Sequence, residues 1–206
     1  LNLGNSLSLR KKVAKEAAHL LYFGVEKEYK QAKLKAAETF RVHFLPTNLE
    51  VAIELDRIAE EKEGATRKNR LIQMRKEALR LMKILKTYYP VLIGSVWRGT
   101  IHRESDIDIT VYHDEPNAIL KVINQSNIIV TRAEWVTITK EGSKKQSFHI
   151  YLELPTEDNA EIIVRSSEEA NRKERCEIYG DTITGLRIQE LEKTLQENPT
   201  QRFVPH

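Results

Sequence analysis

Cysteine is all but missing: Cys176 is the single one in 206 residues. No intrachain disulfide can form, which excludes a disulfide-stapled scaffold and fits a reducing compartment. No apolar run reaches the length of a membrane span, and the first residues lack a signal-peptide core. The expectation is therefore a cytoplasmic protein with no membrane partner. Internal repeats and low-complexity segments are also absent, which excludes solenoids and disordered arrays. No charge sign dominates, since the net charge is +3. What is present is a 40% hydrophobic fraction, enough for a real core, and a high charged fraction of 31%. The length suits one large domain, or a medium domain with a smaller companion.

The charge is unevenly placed. Residues 1–89 carry +8, whereas residues 90–206 carry −5. Residues 9–88 read as helices, with apolar positions at three- and four-residue spacing. Val13, Ala17, Leu20 and Leu21 form one such stripe, and Leu71, Met74, Ala78, Leu81 and Leu85 another. Gly24 and Gly64 read as helix stops, and Leu45-Pro46-Thr47-Asn48 as a break. Thr47 and Glu50 have capping-box spacing, each side chain answering a free backbone N–H at a helix start. Pro90 ends the helical region.

From Val91 the period changes. Val91–Ile93, Ile107–Tyr112, Ile128–Thr139, Ser147–Leu154 and Glu161–Val164 are rich in β-branched and aromatic residues and read as strands. Glu141-Gly142-Ser143 and Pro155–Asn159 read as hairpin turns, and Asn117–Asn124 as a helix between strands. Ile188–Gln196 returns to helix, and the chain is expected to fray after Pro199. The division expected is a helical region at 1–88, a sheet-bearing domain at 89–167 and a tail with one helix at 168–206. The fold class is α+β: N-terminal helices, then a mixed β-sheet with helices on one side.

The helix over 67–87 is basic: Arg67, Lys68, Arg70, Arg75, Lys76, Arg80, Lys83 and Lys86 stand against Glu77 alone. That composition suits either a phosphate-backbone contact or a helix packed by its Leu and Met stripe, and packing is the commoner use. No aromatics interleave with these basics before Tyr88-Tyr89, so a base-stacking platform is not indicated.

The chemistry concentrates in residues 92–111. An apolar strand ends in Gly94-Ser95, ten residues follow, and Asp106-Ile107-Asp108 lies in a second apolar strand. Residues two apart in a strand share a face, so Asp106 and Asp108 stand together while Ile107, Ile109 and Val111 face the core. Adjacent carboxylates repel, and a hard divalent cation such as Mg²⁺ removes the cost of ionising both. Gly94 allows close backbone approach to a ligand, and Ser95 with the following turn offers N–H groups to an anion. Arg98 can clamp phosphate oxygens with its planar fork, and Ser105 can hydrogen-bond locally. Each element alone is common. The combination at one fixed spacing arises by chance in well under roughly one per cent of chains this long. His102, His113 and His149 have no zinc-type spacing. Cys176 has no paired base, and Trp97 reads as packing beneath the loop.

Gly94-Ser95, the ten-residue gap and Asp106-Ile107-Asp108 resemble the signature of the DNA polymerase beta superfamily of nucleotidyltransferases. The nearest patterns are those of the minimal nucleotidyltransferases. Arg98-Gly99-Thr100 and Ser105-Asp106-Ile107-Asp108 are also similar to the catalytic domain of archaeal-type CCA-adding enzymes. The specific match covers about 20 residues, and the strand order extends it to about 75, with the N-terminal helices outside. The resemblance implies a third carboxylate on a later strand. Glu161 is preferred, then Glu153, then Glu134, and Glu161 departs from the Asp common in the family. It further implies Mg²⁺-dependent transfer of an NMP from an NTP to an acceptor hydroxyl, with two ions held by Asp106, Asp108 and Glu161. Gly94, Ser95, Arg98 and Ser105 would meet the nucleotide. The acceptor stays open between an RNA end, a partner protein's side chain and a small molecule. CCA-adding enzymes are much longer than this chain, and the minimal enzymes, often antitoxins, are about half its length. The alternative is a catalytically idle copy of the fold, serving as a binding or regulatory subunit.

Overall fold

The computed structural model describes residues 3–140 and 143–205. Three helices come first: α1 (Leu3–Tyr22), α2 (Tyr29–Thr39) and α3 (Asn48–Ile84). Val13, Ala14, Ala17 and Ala18 of α1, Ala32 and Ala36 of α2, and Val51, Leu55 and Ile58 of α3 enclose an apolar core. Its many alanines let the helices approach closely. The expected capping box is present: Glu50 N–H donates to Thr47 Oγ1 at 3.1 Å, and Thr47 N–H donates to Glu50 Oε2 at 2.6 Å.

Gly64 interrupts α3 with φ 52° and ψ −129°, a conformation closed to most L-residues. The expected break is therefore a kink, and the helix resumes beyond it. The continuation carries the predicted stripe of Leu71, Met74, Ala78, Leu81 and Leu85 into a second core beneath the sheet.

That sheet has five strands: β1 (Val91–Ile93), β2 (Ile107–Tyr112), β3 (Ile129–Lys140), β4 (Ser143–Glu153) and β5 (Asn159–Arg165). Their spatial order is β1-β2-β5-β4-β3. β2 and β5 run parallel, whereas the other neighbours are antiparallel, so the sheet is mixed as expected. β1 and β2 match their predicted limits, while β4 and β5 run longer because strand pairing extends them past the apolar runs. The turn expected at Glu141–Ser143 falls on residues 141–142, outside the described residues.

The alternation of side chains gives the sheet two unlike faces. Ile107, Ile109 and Val111 of β2, Ala160, Ile162 and Val164 of β5, and Ile150 and Leu152 of β4 all belong to the second core. Ile119 and Ile123 of α5 (Pro116–Gln125) and Leu191 of α6 (Ile188–Glu197) share that core. Asp108, Glu161, His149 and Tyr151 lie on the opposite face. Between β1 and β2 the chain makes one short helix, α4 (Gly94–Arg98).

The tail does not fray after Pro199. Phe203 N–H donates to Arg98 O at 3.0 Å, and Arg75 donates to Pro199 O and Gln201 O, each at 2.8 Å. Arg75 lies fully inside the protein and also donates to Val96 O and Trp97 O. Sequence periodicity could not show this, because the tail is held by backbone carbonyls rather than by an apolar stripe. Among the described residues no helix is long and apolar enough to cross a membrane.

Candidate active site

Strand register assembles the acidic centre. Asp108 pairs with Ile93 at the end of β1 and with Glu161 on β5. Glu161 is thus the direct neighbour of Asp108 across a parallel strand pair. Glu153 pairs with Asn159, nearer the start of β5. Glu134 lies on β3, two strands beyond β5, where it pairs with Arg132 at 3.3 Å. Of the rival carboxylates, only Glu161 adjoins Asp108.

Asp106 precedes β2 rather than lying within it, and it is exposed, whereas Asp108 is half-buried. Both carboxyls are pushed above the usual carboxylate range. For Asp108, burial is the largest cause, followed by the charges of Glu161 and Asp106, and the value reaches about 8. Asp108 opens onto the cleft it lines, while Gly94 packs closely against its carboxylate. For Asp106, exposed overall but set between cleft walls, the causes are the desolvation those walls impose and then Glu161, opposed by a hydrogen bond from Asn159 and by Lys27 and Arg70. Among the described residues neither aspartate makes an ion pair, and no three His, Cys, Asp or Glu side chains gather tightly enough to hold an ion as they stand. Carboxylates are the oxygen donors a hard cation takes, so Asp106, Asp108 and Glu161 are the residues that could hold one here.

Gly94 is bound to this site by sterics. Its φ is +71°, and a Cβ there would collide with the Asp108 carboxylate. Only glycine lets the β1–α4 turn pass so close to β2. Gly94, Ser95, Ser105, Asp106 and Asp108 line one cleft of about 390 Å³. Its other walls come from Tyr29 of α2, Leu55 of α3, and Tyr179 and Ile183 of the loop before α6. Arg98, Thr100 and His102 also line it, so apolar and aromatic walls alternate with polar groups around the aspartates.

Two residues expected at the nucleotide, Arg98 and Ser105, line this cleft with their side chains already partnered inside the protein. Arg98 was expected to clamp phosphate, but its fork holds Asp181 through Nη2–Oδ1 at 2.6 Å and Nη1–Oδ2 at 3.1 Å. Nη1 also donates to Phe203 O at 2.9 Å, and the guanidinium stacks between Trp97 and Tyr179. It is 4% exposed. A buried guanidinium needs a counter-charge and filled donors, and Arg98 finds both inside the protein as a structural pin. Ser105 is also buried, its Oγ accepting from His102 N–H at 2.9 Å and its N–H donating to His102 O at 2.8 Å, so its hydroxyl closes the turn that presents Asp106.

Several supporting residues escaped the sequence reading. Arg70 donates to Ser105 O, His102 O and Asp158, tying the turn before Asp106 to α3. Arg67 ties Ile101 O to Asp56 and Glu60. The basic character of 67–75 is thus largely internal, in keeping with packing rather than phosphate contact. His102, held neutral by burial with its value lowered to about 4, supports the same turn. His149 carries no metal spacing, but it hydrogen-bonds Glu161. The only sequence clue was that Ser147, His149 and Tyr151 share a strand face.

A family model described as a nucleotidyltransferase domain matches residues 71–181, more than half of the chain. The chain belongs to this family. Its matched region starts at Leu71, where the second core also starts. The resemblance to the polymerase beta superfamily, drawn from 20 residues, thus extends through the sheet. No curated protein matches the chain significantly. Among solved structures, one of a cytoplasmic RNA terminal U-transferase aligns at 19% identity and a TM-score of 0.30, covering 57% of this chain and 34% of that one. The chain thus spans about a third of that protein's length.

Proposed function

We propose that the chain transfers an NMP from an NTP to an acceptor hydroxyl and releases pyrophosphate. The observation that carries this reading is the register of Asp108 beside Glu161, with Gly94 packed against Asp108 where only glycine fits. In this reading Gly94 and Ser95 meet the triphosphate, and the apolar and aromatic cleft wall receives the rest of the nucleotide. Asp106, Asp108 and Glu161 would hold Mg²⁺, two ions in the expected arrangement. Such an ion, when bound, supplies positive charge that lets the three carboxylates ionise together and offsets the charge of the phosphates.

The acceptor hydroxyl gives its proton to the Glu161 carboxylate. Its oxygen forms a bond to the α-phosphorus as the bridging bond to the β-phosphate breaks. Catalysis of this kind rests on positioning and electrostatics. Arg98 acts indirectly here, by fixing α4 to the tail and Asp181. The acceptor is proposed to be RNA or a partner protein. The +8 charge of residues 1–89 favours a polyanion, although Arg67, Arg70 and Arg75 are not available to it.

An idle, binding-only version of the fold is favoured by one feature: the guanidinium nearest the cleft is already paired. One assay separates the two. Each NTP, labelled at the α-phosphate or the γ-phosphate, is supplied with Mg²⁺ and an RNA pool or cell extract. The transferase reading expects α-label on an acceptor, γ-label in pyrophosphate, and loss of both in Asp106→Ala and Asp108→Ala. Tight NTP binding with no transfer to any acceptor would favour the idle scaffold.

A further inference from the structure

Three side chains on the open face of the sheet form one hydrogen-bonded chain. Ser147 Oγ lies 2.7 Å from His149 Nε2, and His149 Nδ1 lies 2.5 Å from Glu161 Oε1. Ser147 and His149 are two apart on β4 and so share a face, while Glu161 stands on β5 opposite Tyr151, two residues along from His149 and on the same face. The imidazole is 12% exposed and the Glu161 side chain 21%, so water competes little for either.

We propose that His149 is a positioning residue for Glu161, with Ser147 orienting the imidazole. This rests on the nucleotidyl-transfer reading for its catalytic consequence, though the hydrogen bonding stands apart from it. An ionised carboxylate only accepts, so Nδ1 must carry the proton. A serine hydroxyl can donate to Nε2, which selects that tautomer. Glu161 has one more rotatable bond than the aspartate common in the family, and therefore more positions to lose. Fixing Oε1 on Nδ1–H removes that freedom, and the Tyr151 side chain, which also hydrogen-bonds Glu161, adds a second restraint. On the far side Tyr151 is itself braced, with the Arg132 guanidinium 4.1 Å over its ring. Glu161 is thus held from β4 rather than by its own strand, which explains how a glutamate can serve at this place.

The test has a structural arm and a kinetic arm. Nitrogen-15 chemical shifts of the His149 ring, read at alkaline pH without metal, are expected to show a protonated Nδ1. In Ser147→Ala that preference should weaken. A protonated Nε2 with a bare Nδ1 would overturn the proposal whatever the enzyme does. In the kinetic arm His149→Ala should lower kcat by about 10- to 100-fold, the usual cost of losing a group that orients a ligand side chain. KM for the NTP should stay within about twofold, because Glu161 does not bind the nucleotide in this reading. His149→Asn places an amide N–H near the Nδ1 position and should recover most of kcat, whereas His149→Gln should not. An unchanged kcat in folded His149→Ala, or a loss expressed wholly in KM, would overturn the positioning role. Absence of any transfer by the unaltered protein would sink the nucleotidyl-transfer reading instead, and the nitrogen shifts would still decide whether His149 donates to Glu161.

Discussion

Charge is handled differently on the two sides of Gly64. In the helical region before it, most ion pairs lie at the surface: Arg10 with Glu50, Lys35 with Glu26, and Arg57 with Glu61. Glu54, 6% exposed and paired with Arg57, is the main exception. Beyond Gly64, surface pairs such as Lys83 with Glu192 persist, but charge is also taken inside. Arg75 is fully buried against backbone carbonyls, Arg98 is pinned by Asp181, and Asp108 is half-buried beside Glu161. Surface pairs are worth little, whereas buried charges impose one arrangement because any other leaves them unpaired. The helical region is thus held by apolar packing, and the sheet region spends part of its stability on keeping charged groups inside.

Substitutions on the two sides of Gly64 should therefore differ in scale. The largest effect belongs to Asp108. Asp108→Ala should lower nucleotidyl transfer by about 10³-fold or more, as expected when a group that organises transition-state charge is lost. Circular dichroism should show the fold retained. Next comes Arg75. Arg75→Met leaves several buried carbonyls without donors and should cost about 3 kcal/mol in denaturant unfolding. A cost below about 1 kcal/mol would mean that water replaces the guanidinium, and the contrast between regions would weaken.

Asp108 also makes the contrast depend on pH. A carboxyl with a higher pKa folded than unfolded binds its proton more tightly in the fold. Its contribution is present below the ordinary aspartate value and is lost as pH rises towards about 8. Metal-free protein should therefore lose melting temperature from acid to about pH 8. Asp108→Asn, which cannot ionise, should melt higher than the unaltered protein at pH 8. Equal melting temperatures there would show that the acidic centre does not strain the fold.

Smaller effects are expected at and before the kink. Gly64→Ala meets no neighbouring atom but inherits φ 52°, and should cost about 1–2 kcal/mol through backbone strain alone. Arg57→Met, in the helical region, should cost less than about 1 kcal/mol. If Arg57→Met matched Arg75→Met, the division at Gly64 would have no energetic meaning.

Much of this organisation was legible before the structure. The stripe Leu71–Leu85, the limits of β1 and β2 and the preference for Glu161 follow from periodicity, strand alternation and one family signature. What was hidden depends on partners distant in sequence. The pairing of Arg98 with Asp181, 83 residues away, has no mark in the local sequence. Arg75 looks like part of a basic surface because its carbonyl partners, such as Gln201 O, have no mark in the sequence. His149 has no metal-ligand spacing, and its partner Glu161 lies on another strand, so local pattern does not join the two. Local pattern reports which way a side chain faces, and only register reports what it meets.

Register also supplies the most direct measurement. Transfer of α-labelled nucleotide should be compared among Glu161→Gln, Glu153→Gln and Glu134→Gln at equal folded concentration. A carboxylate centre shared by Asp108 and Glu161 requires Glu161→Gln to lose about 10²-fold or more while the other two stay close to the unaltered protein. Full activity in Glu161→Gln, or an equal loss in Glu153→Gln, would contradict it.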